Sequence, residues 1–182
     1  EWFDLIDASE YDTAYICGLE IEESTGEHIV SFLEQQPHMK IYYAPGPRIE
    51  KQPKDLMNRL FALHPVVHLN QSESFLLTGK TDTEYAARAI TRLTGQDVVI
   101  TLGKDGAYCL ENGTGVFLPS RKAKQVDATG AGDAHIGAVM ALRKLGFSLS
   151  HAVGKANLVS AAVVEKKGAS LDHSSFLQCF NR

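Results

Sequence analysis

This chain has little excess of basic charge, little cysteine and no long apolar run, and each shortage removes a class of function. Lys and Arg number 18 against 22 Asp and Glu, a net charge of −4. No basic stripe offers itself to a phosphodiester backbone, which argues against a nucleic-acid partner. No apolar run approaches the roughly 18 residues of a membrane span, so no membrane partner is expected. The opening EWFDLIDASEYD is acidic where a secretory signal would be basic and then apolar. Without an initial Met, it reads as the middle of a longer protein. The three cysteines, Cys17, Cys109 and Cys179, are odd in number and far apart. They fit neither a disulfide framework nor a metal-ligand pattern, and read as reduced, mostly buried thiols of a cytoplasmic protein.

What is present is a globular composition, 44% hydrophobic and 22% charged, arranged as short apolar strands alternating with amphipathic helices. Strands are expected at 13–18, 40–44, 66–70 and 97–103. Helices are expected at 23–36, with Ile29, Phe32 and Leu33 on one face, at 53–64, and at 83–93 ending at Gly95. A hairpin around Gly113 and Gly115 follows, then helices at about 132–145 and 150–165. Strict alternation of strand and helix predicts an α/β fold, a mainly parallel sheet flanked by helices. In such sheets ligands sit at the carboxyl ends of strands, here Asn70, Gly103 and the loop before Asp133.

The segment DATGAGDA, 127–134, carries the densest chemistry. Gly130 and Gly132 let backbone N–H groups converge, and the following helix adds its positive end, so the loop is suited to an anion. A purely structural alternative is a tight turn capped by Asp133. The segment NQSE, 70–73, likewise reads as a capping box between Asn70 and Glu73. The small residues Ala134, Gly137, Ala138 and Ala141 are expected to pack the helix closely on the sheet.

DATGAGDAHIGA resembles the C-terminal signature of the ribokinase-like (PfkB) family of carbohydrate and nucleoside kinases. NQSE at 70–73 resembles that family's Asn-x-x-Glu motif, TLGKDGA at 101–107 its nucleotide loop, and KANLVSAAVVEKKGAS its adenine-closing helix and loop. The resemblance runs from about residue 13 to the C-terminus. It implies a three-layer ribokinase-like fold and transfer of the γ-phosphoryl group of ATP to a hydroxyl of a sugar or nucleoside. By resemblance Asp133 is the general base, and the amides of Gly130, Ala131 and Gly132 form the anion hole. Thr101, Gly103, Lys104, Gly106 and Asn157 would contact nucleotide. Asn70 and Glu73 would organise phosphates and Mg²⁺ through water. A K⁺ site would use Asp127 with the carbonyls of Thr129, Val163, Lys166 and Gly168, and Asp172 beside them.

The chain departs from the family at Ala128, where Thr is usual, and at His135, where an aromatic is common; His135 reads as a wall residue rather than a catalyst. Arg48 reads as facing either substrate or solvent. The family's N-terminal half, with its β-lid and Gly-Gly segment, has no counterpart here. Residues 1–182 are therefore expected to form a single C-terminal, ATP-binding portion of a longer kinase, which would dimerise through the lid. A non-catalytic nucleotide-binding module is the competing reading.

Overall fold

The computed structural model describes residues 6–180. The fold is α/β, with six strands in a mixed sheet and helices flanking it. The chain divides into two compact units, Glu1–Val98 and Val99–Arg182.

In the first unit β1 (Thr13–Cys17), β2 (Lys40–Ala44) and β3 (Val66–Asn70) run parallel, with Thr13 opposite Lys40 and Tyr42 opposite Val66. A parallel sheet covered on both faces selects strands that are apolar on both sides, and Ile41 to Tyr43 and Val66 to Leu69 are all buried. The Tyr43 hydroxyl is buried too; it donates to Gln52 Oε1, and Gln52 Nε2 donates to the Pro45 carbonyl at 2.7 Å.

The helix expected at 23–36 is α2 (Gly26–Glu34), and a short helix the sequence did not announce, α1 (Gly18–Glu22), precedes it. Glu20 Oε2 accepts the Cys17 N–H at 2.9 Å and starts α1 directly after the strand. A Cβ at Gly26 would lie 2.5 Å from the Ile21 carbonyl, so the chain folds back tightly there. The buried face of α2 is Gly26, Val30 and Leu33, with Ile29 and Phe32 only half-buried. Three more helices follow, α3 (Lys54–Ala62), α4 (Gln71–Thr78) and α5 (Thr83–Thr94). Gly95 closes α5 in the left-handed conformation at φ 71.

The second unit begins in β4 (Val98–Thr101) and continues into an antiparallel hairpin of β5 (Gly106–Glu111) and β6 (Thr114–Pro119). Its turn is Asn112-Gly113, with φ 49 and 79, the pair of left-handed residues a two-residue hairpin turn demands. Gly115, expected in the turn, instead lies within β6 opposite Leu110; a Cβ there would stand 1.8 Å from the Tyr108 hydroxyl.

Two long helices, α6 (Ala131–Lys144) and α7 (Leu149–Val163), pack on each other, α7 also lies on the hairpin, and α8 (His173–Gln178) follows. Glu111 at the end of β5 accepts the N–H groups of Leu149 at 2.6 Å and Ser150 at 3.0 Å, capping α7. Burial alone would raise the Glu111 carboxyl, but these bonds and nearby Arg143 outweigh it and hold it below the usual range. The buried stripe of α6 is His135, Ile136, Ala138, Val139 and Leu142. Gly137 and Ala141, expected on the packing face, are exposed, because the helical period sets 133, 137 and 141 opposite 135, 139 and 142.

Cys109 and Cys179 are buried and Cys17 half-buried, and none is in a disulfide. No helix among the described residues is long and apolar enough to cross a membrane.

Candidate active site

The start of α6 is pinned from several sides. The N–H groups of Val126 and Asp127 donate to the Val164 carbonyl at 2.7 and 3.2 Å. Asp127 accepts from Thr129 N–H at 2.9 Å and from Gly168 N–H at 3.0 Å, and these bonds hold its carboxyl below the usual range. Ser160 Oγ donates to the Ala131 carbonyl at 2.9 Å. Gly130 is the N-cap at φ 76, and a Cβ there would lie 2.4 Å from the Ala169 Cβ. Gly130 thus serves the turn itself.

Gly132 differs. It is helical, and a Cβ there would meet nothing within 4 Å. Its missing side chain leaves open space at the positive end of α6. Among the described residues, the N–H groups of Gly130 and Gly132 donate to no acceptor. The suggestion that Asp133 caps the helix is overturned. The left-handed Gly130 takes that place, and Asp133 sits exposed in the first turn.

Beside this helix start the second unit encloses a cavity of about 690 Å³, within the size range of small-molecule sites. Thr101, Gly103, Lys104 and Gly106 line it, as do Ala131 and Gly132 of α6 and Asn157 of α7. The turn after β4 is fixed by Leu102 N–H donating to the Gly106 carbonyl at 2.8 Å. Gly106, at φ 122, cannot carry a side chain, since its Cβ would lie 2.2 Å from the Leu118 carbonyl. The strap that follows β6 contributes Arg121 and Lys122. Arg121 pairs with both oxygens of Glu165, at 3.0 and 2.6 Å, which holds the guanidinium firmly protonated. Lys104 and Lys122 are exposed at the cavity. Arg121 and Lys122 were not among the residues expected here; the sequence signal for them is the run RKAK, 121–124, directly after the hairpin.

His135 and Asn157 complete the lining, and both are buried. His135 Nε2 lies 3.1 Å from Asn157 Oδ1, and Asn157 Nδ2 donates to the Leu118 carbonyl at 2.8 Å. The Asn157 amide is therefore engaged by the protein on both sides. Its partners within the protein are His135 and the end of β6.

Asn70 and Glu73 belong to the first unit, at the junction of β3 and α4. They form the expected capping box. Asn70 N–H and Nδ2 donate to the two Glu73 carboxylate oxygens at 2.9 and 2.8 Å, and Glu73 N–H donates to Asn70 Oδ1 at 2.9 Å. Burial raises the Glu73 carboxyl despite these bonds.

Of the residues named for a monovalent cation, Asp127 and Gly168 are hydrogen-bonded to each other, and the Val163 carbonyl accepts the Lys166 N–H at 3.1 Å. Asp172 is taken by the Lys166 ammonium at 2.5 Å and caps α8 through Ser175 N–H. Arg48 pairs with Glu22. No cluster of three or more His, Cys, Asp or Glu suited to a metal ion occurs among the described residues.

A cavity with basic side chains at its edge and an open helix N-terminus in its wall has the chemistry to receive an anionic small molecule. The family profile described as pfkB family carbohydrate kinase matches residues 3–175. The chain belongs to that family. An uncharacterized sugar kinase of Escherichia coli, YegV, is 30% identical over 176 residues, covering 92% of this chain and 54% of the relative. The ribokinase of Thermotoga maritima shares the fold with a TM-score of 0.81 at 21% identity, over 99% of this chain and 61% of that one. An Escherichia coli protein solved with ATP and Mg²⁺ has a TM-score of 0.80 at 20% identity, over 96% of this chain and 60% of that one. The chain spans about half the length of the curated relatives it matches.

Proposed function

We propose that this chain is the nucleotide-binding portion of an ATP-dependent carbohydrate kinase, transferring the γ-phosphoryl group of ATP to a hydroxyl of a small sugar. The observation that carries this reading is the start of α6. Gly132 presents an unpaired N–H and open space to the cavity, and its neighbour Asp133 stands exposed in the same turn.

Asp133 is the general base. Its carboxylate accepts the proton of the acceptor hydroxyl as that oxygen attacks phosphorus. The amides of Gly130, Ala131 and Gly132 face the charge that develops on the transferring group. Base and amides must adjoin because nucleophile and phosphorus meet within about 3–3.5 Å. Thr101, Gly103, Lys104 and Gly106 hold the nucleotide, and Asn157 shapes the wall beside it. Lys104 and Lys122 offset phosphate charge.

Bound Mg²⁺ neutralises phosphate oxygens. Both oxygens of Glu73 already accept from Asn70, so Glu73 would help hold that ion only through water. The Asp127–Gly168 bond brings the two carbonyl-bearing loops together, which supports a K⁺ site formed by Asp127 with the carbonyls of Thr129, Val163, Lys166 and Gly168. Equal activity in K⁺ and in a bulky organic cation removes that site.

The test is ADP release from Mg·ATP over a panel of pentoses, hexoses, sugar acids and nucleosides, using the natural protein that contains this chain. Acceptor-dependent release is expected, and Asp133→Asn should abolish it while nucleotide still binds. Near wild-type turnover in that variant would sink the assignment. Release with nucleosides alone would make the protein a nucleoside kinase of the same fold. Nucleotide binding without release on any acceptor would favour a non-catalytic module.

A further inference from the structure

Among the described residues of the second unit, the buried polar side chains are His135 and Asn157, 2% and 3% exposed. They touch each other in the cavity wall. A buried imidazole is expensive to desolvate, and an apolar ring of the same size would fill the same space. What the imidazole adds toward α7 is the hydrogen bond to Asn157 Oδ1.

The direction of that bond follows from its neighbours. Asn157 Nδ2 donates to the Leu118 carbonyl at 2.8 Å and points toward the Pro119 carbonyl at 3.5 Å. Its Oδ1 therefore faces α6, and His135 Nε2 carries the proton that meets it. Burial pushes the imidazole down to about 4, more than the Asn157 bond raises it, so the ring is neutral at physiological pH. The bonds thus run from α6 through α7 to the last residues of β6. Those residues lead directly into Ser120, Arg121 and Lys122, which line the cavity.

We propose that His135 is a positioning residue for the phosphoryl donor: through Asn157 it fixes the end of β6 and the strap that frames the nucleotide cavity. This rests on the nucleotide reading above. Without the imidazole donor, Asn157 Oδ1 has no partner in a dry site. The amide is then free to turn and release the Leu118 carbonyl. The pair is tied to the end of β6 rather than to the Gly132 amide, so the effect falls on nucleotide affinity rather than on the transfer machinery.

The experiment is calorimetric titration of the natural protein that contains this chain with Mg·ATP, for wild type and four variants. His135→Phe keeps the ring and removes the donor; His135→Gln restores an N–H at similar reach; Asn157→Ala and the double variant His135→Phe/Asn157→Ala complete a cycle. Thermal melting confirms that each is folded. Affinity should fall roughly tenfold in His135→Phe and in Asn157→Ala. It should return to within about threefold of wild type in His135→Gln, and the double variant should be no weaker than Asn157→Ala. Nitrogen-15 spectra of the wild type should show the Nε2-protonated tautomer.

Equal binding by wild type and His135→Phe overturns the inference and leaves the nucleotide reading standing. So does a His135→Gln variant as weak as His135→Phe, or an Nδ1-protonated ring. If His135→Phe does not fold, tight binding by His135→Gln with weak binding by Asn157→Ala still supports the relay, and the converse refutes it. No nucleotide binding by the wild type overturns the nucleotide reading and this inference together.

Discussion

Gly132 can be separated from Gly130 by adding one methyl group to each. At Gly132 the backbone is helical and a Cβ meets nothing within 4 Å. Alanine there relieves the entropic cost of a helical glycine, about 0.5–1 kcal/mol, which in a protein of this size raises the melting temperature by roughly 1–4 °C. The same methyl enters the cavity where an anion would accept the Gly132 N–H. Losing one such charge-assisted bond costs about 1.5–3 kcal/mol, a roughly 10- to 100-fold loss of affinity. Gly132→Ala should therefore melt no lower than wild type yet bind Mg·ATP far more weakly. Gly130→Ala should do the opposite. A left-handed alanine costs about 1–2 kcal/mol, and its Cβ would collide with Ala169 at 2.4 Å, so the melting temperature should fall. Differential scanning calorimetry and titration calorimetry on the same samples read both quantities. A stable Gly132→Ala that binds nucleotide like wild type would refute the amide cradle.

Two further perturbations test the packing around the site. Glu111→Ala removes the acceptor of the Leu149 and Ser150 N–H groups and should cost about 2 kcal/mol in urea denaturation at pH 7. Because the folded carboxyl lies below its unfolded value near 4.3, its stabilisation is complete above that pH and is lost as pH falls through the folded value. The gap between variant and wild type should accordingly close toward pH 3, and a constant gap would contradict the charged cap. In the first unit, Gln52→Ala leaves the buried Tyr43 hydroxyl and the Pro45 carbonyl without the partner each has now. It should cost about 1–3 kcal/mol. A loss no larger than an exposed Gln→Ala change would show that the pair is not held in a dry site.

The strands of the parallel sheet were legible because both faces are covered: KIYYA and VVHLN are apolar on both sides, whatever their partners. Gly95 and the Asn70–Glu73 box were legible because capping is local, settled within four residues. The loop after β4 was legible too. Thr101, Gly103, Lys104 and Gly106 sit close in sequence, and all of them line the cavity.

What sequence could not supply was any term that depends on a distant neighbour. The break between α1 and α2 depends on the contact of Gly26 with Ile21, and Gly115 sits in β6 to make room for Tyr108. Gly130 and Gly132 look alike in DATGAGDA; only the folded chain puts Ala169 beside the first and open space beside the second. The engagement of Asn157 with His135 and the β6 carbonyls joins residues 22 and 39 positions apart. Composition, periodicity and capping are local properties carried by the chain itself. The vacancy at Gly132 and the orientation of the Asn157 amide are decided by which surfaces meet when the helices close on the hairpin, and that is a property of the packed structure.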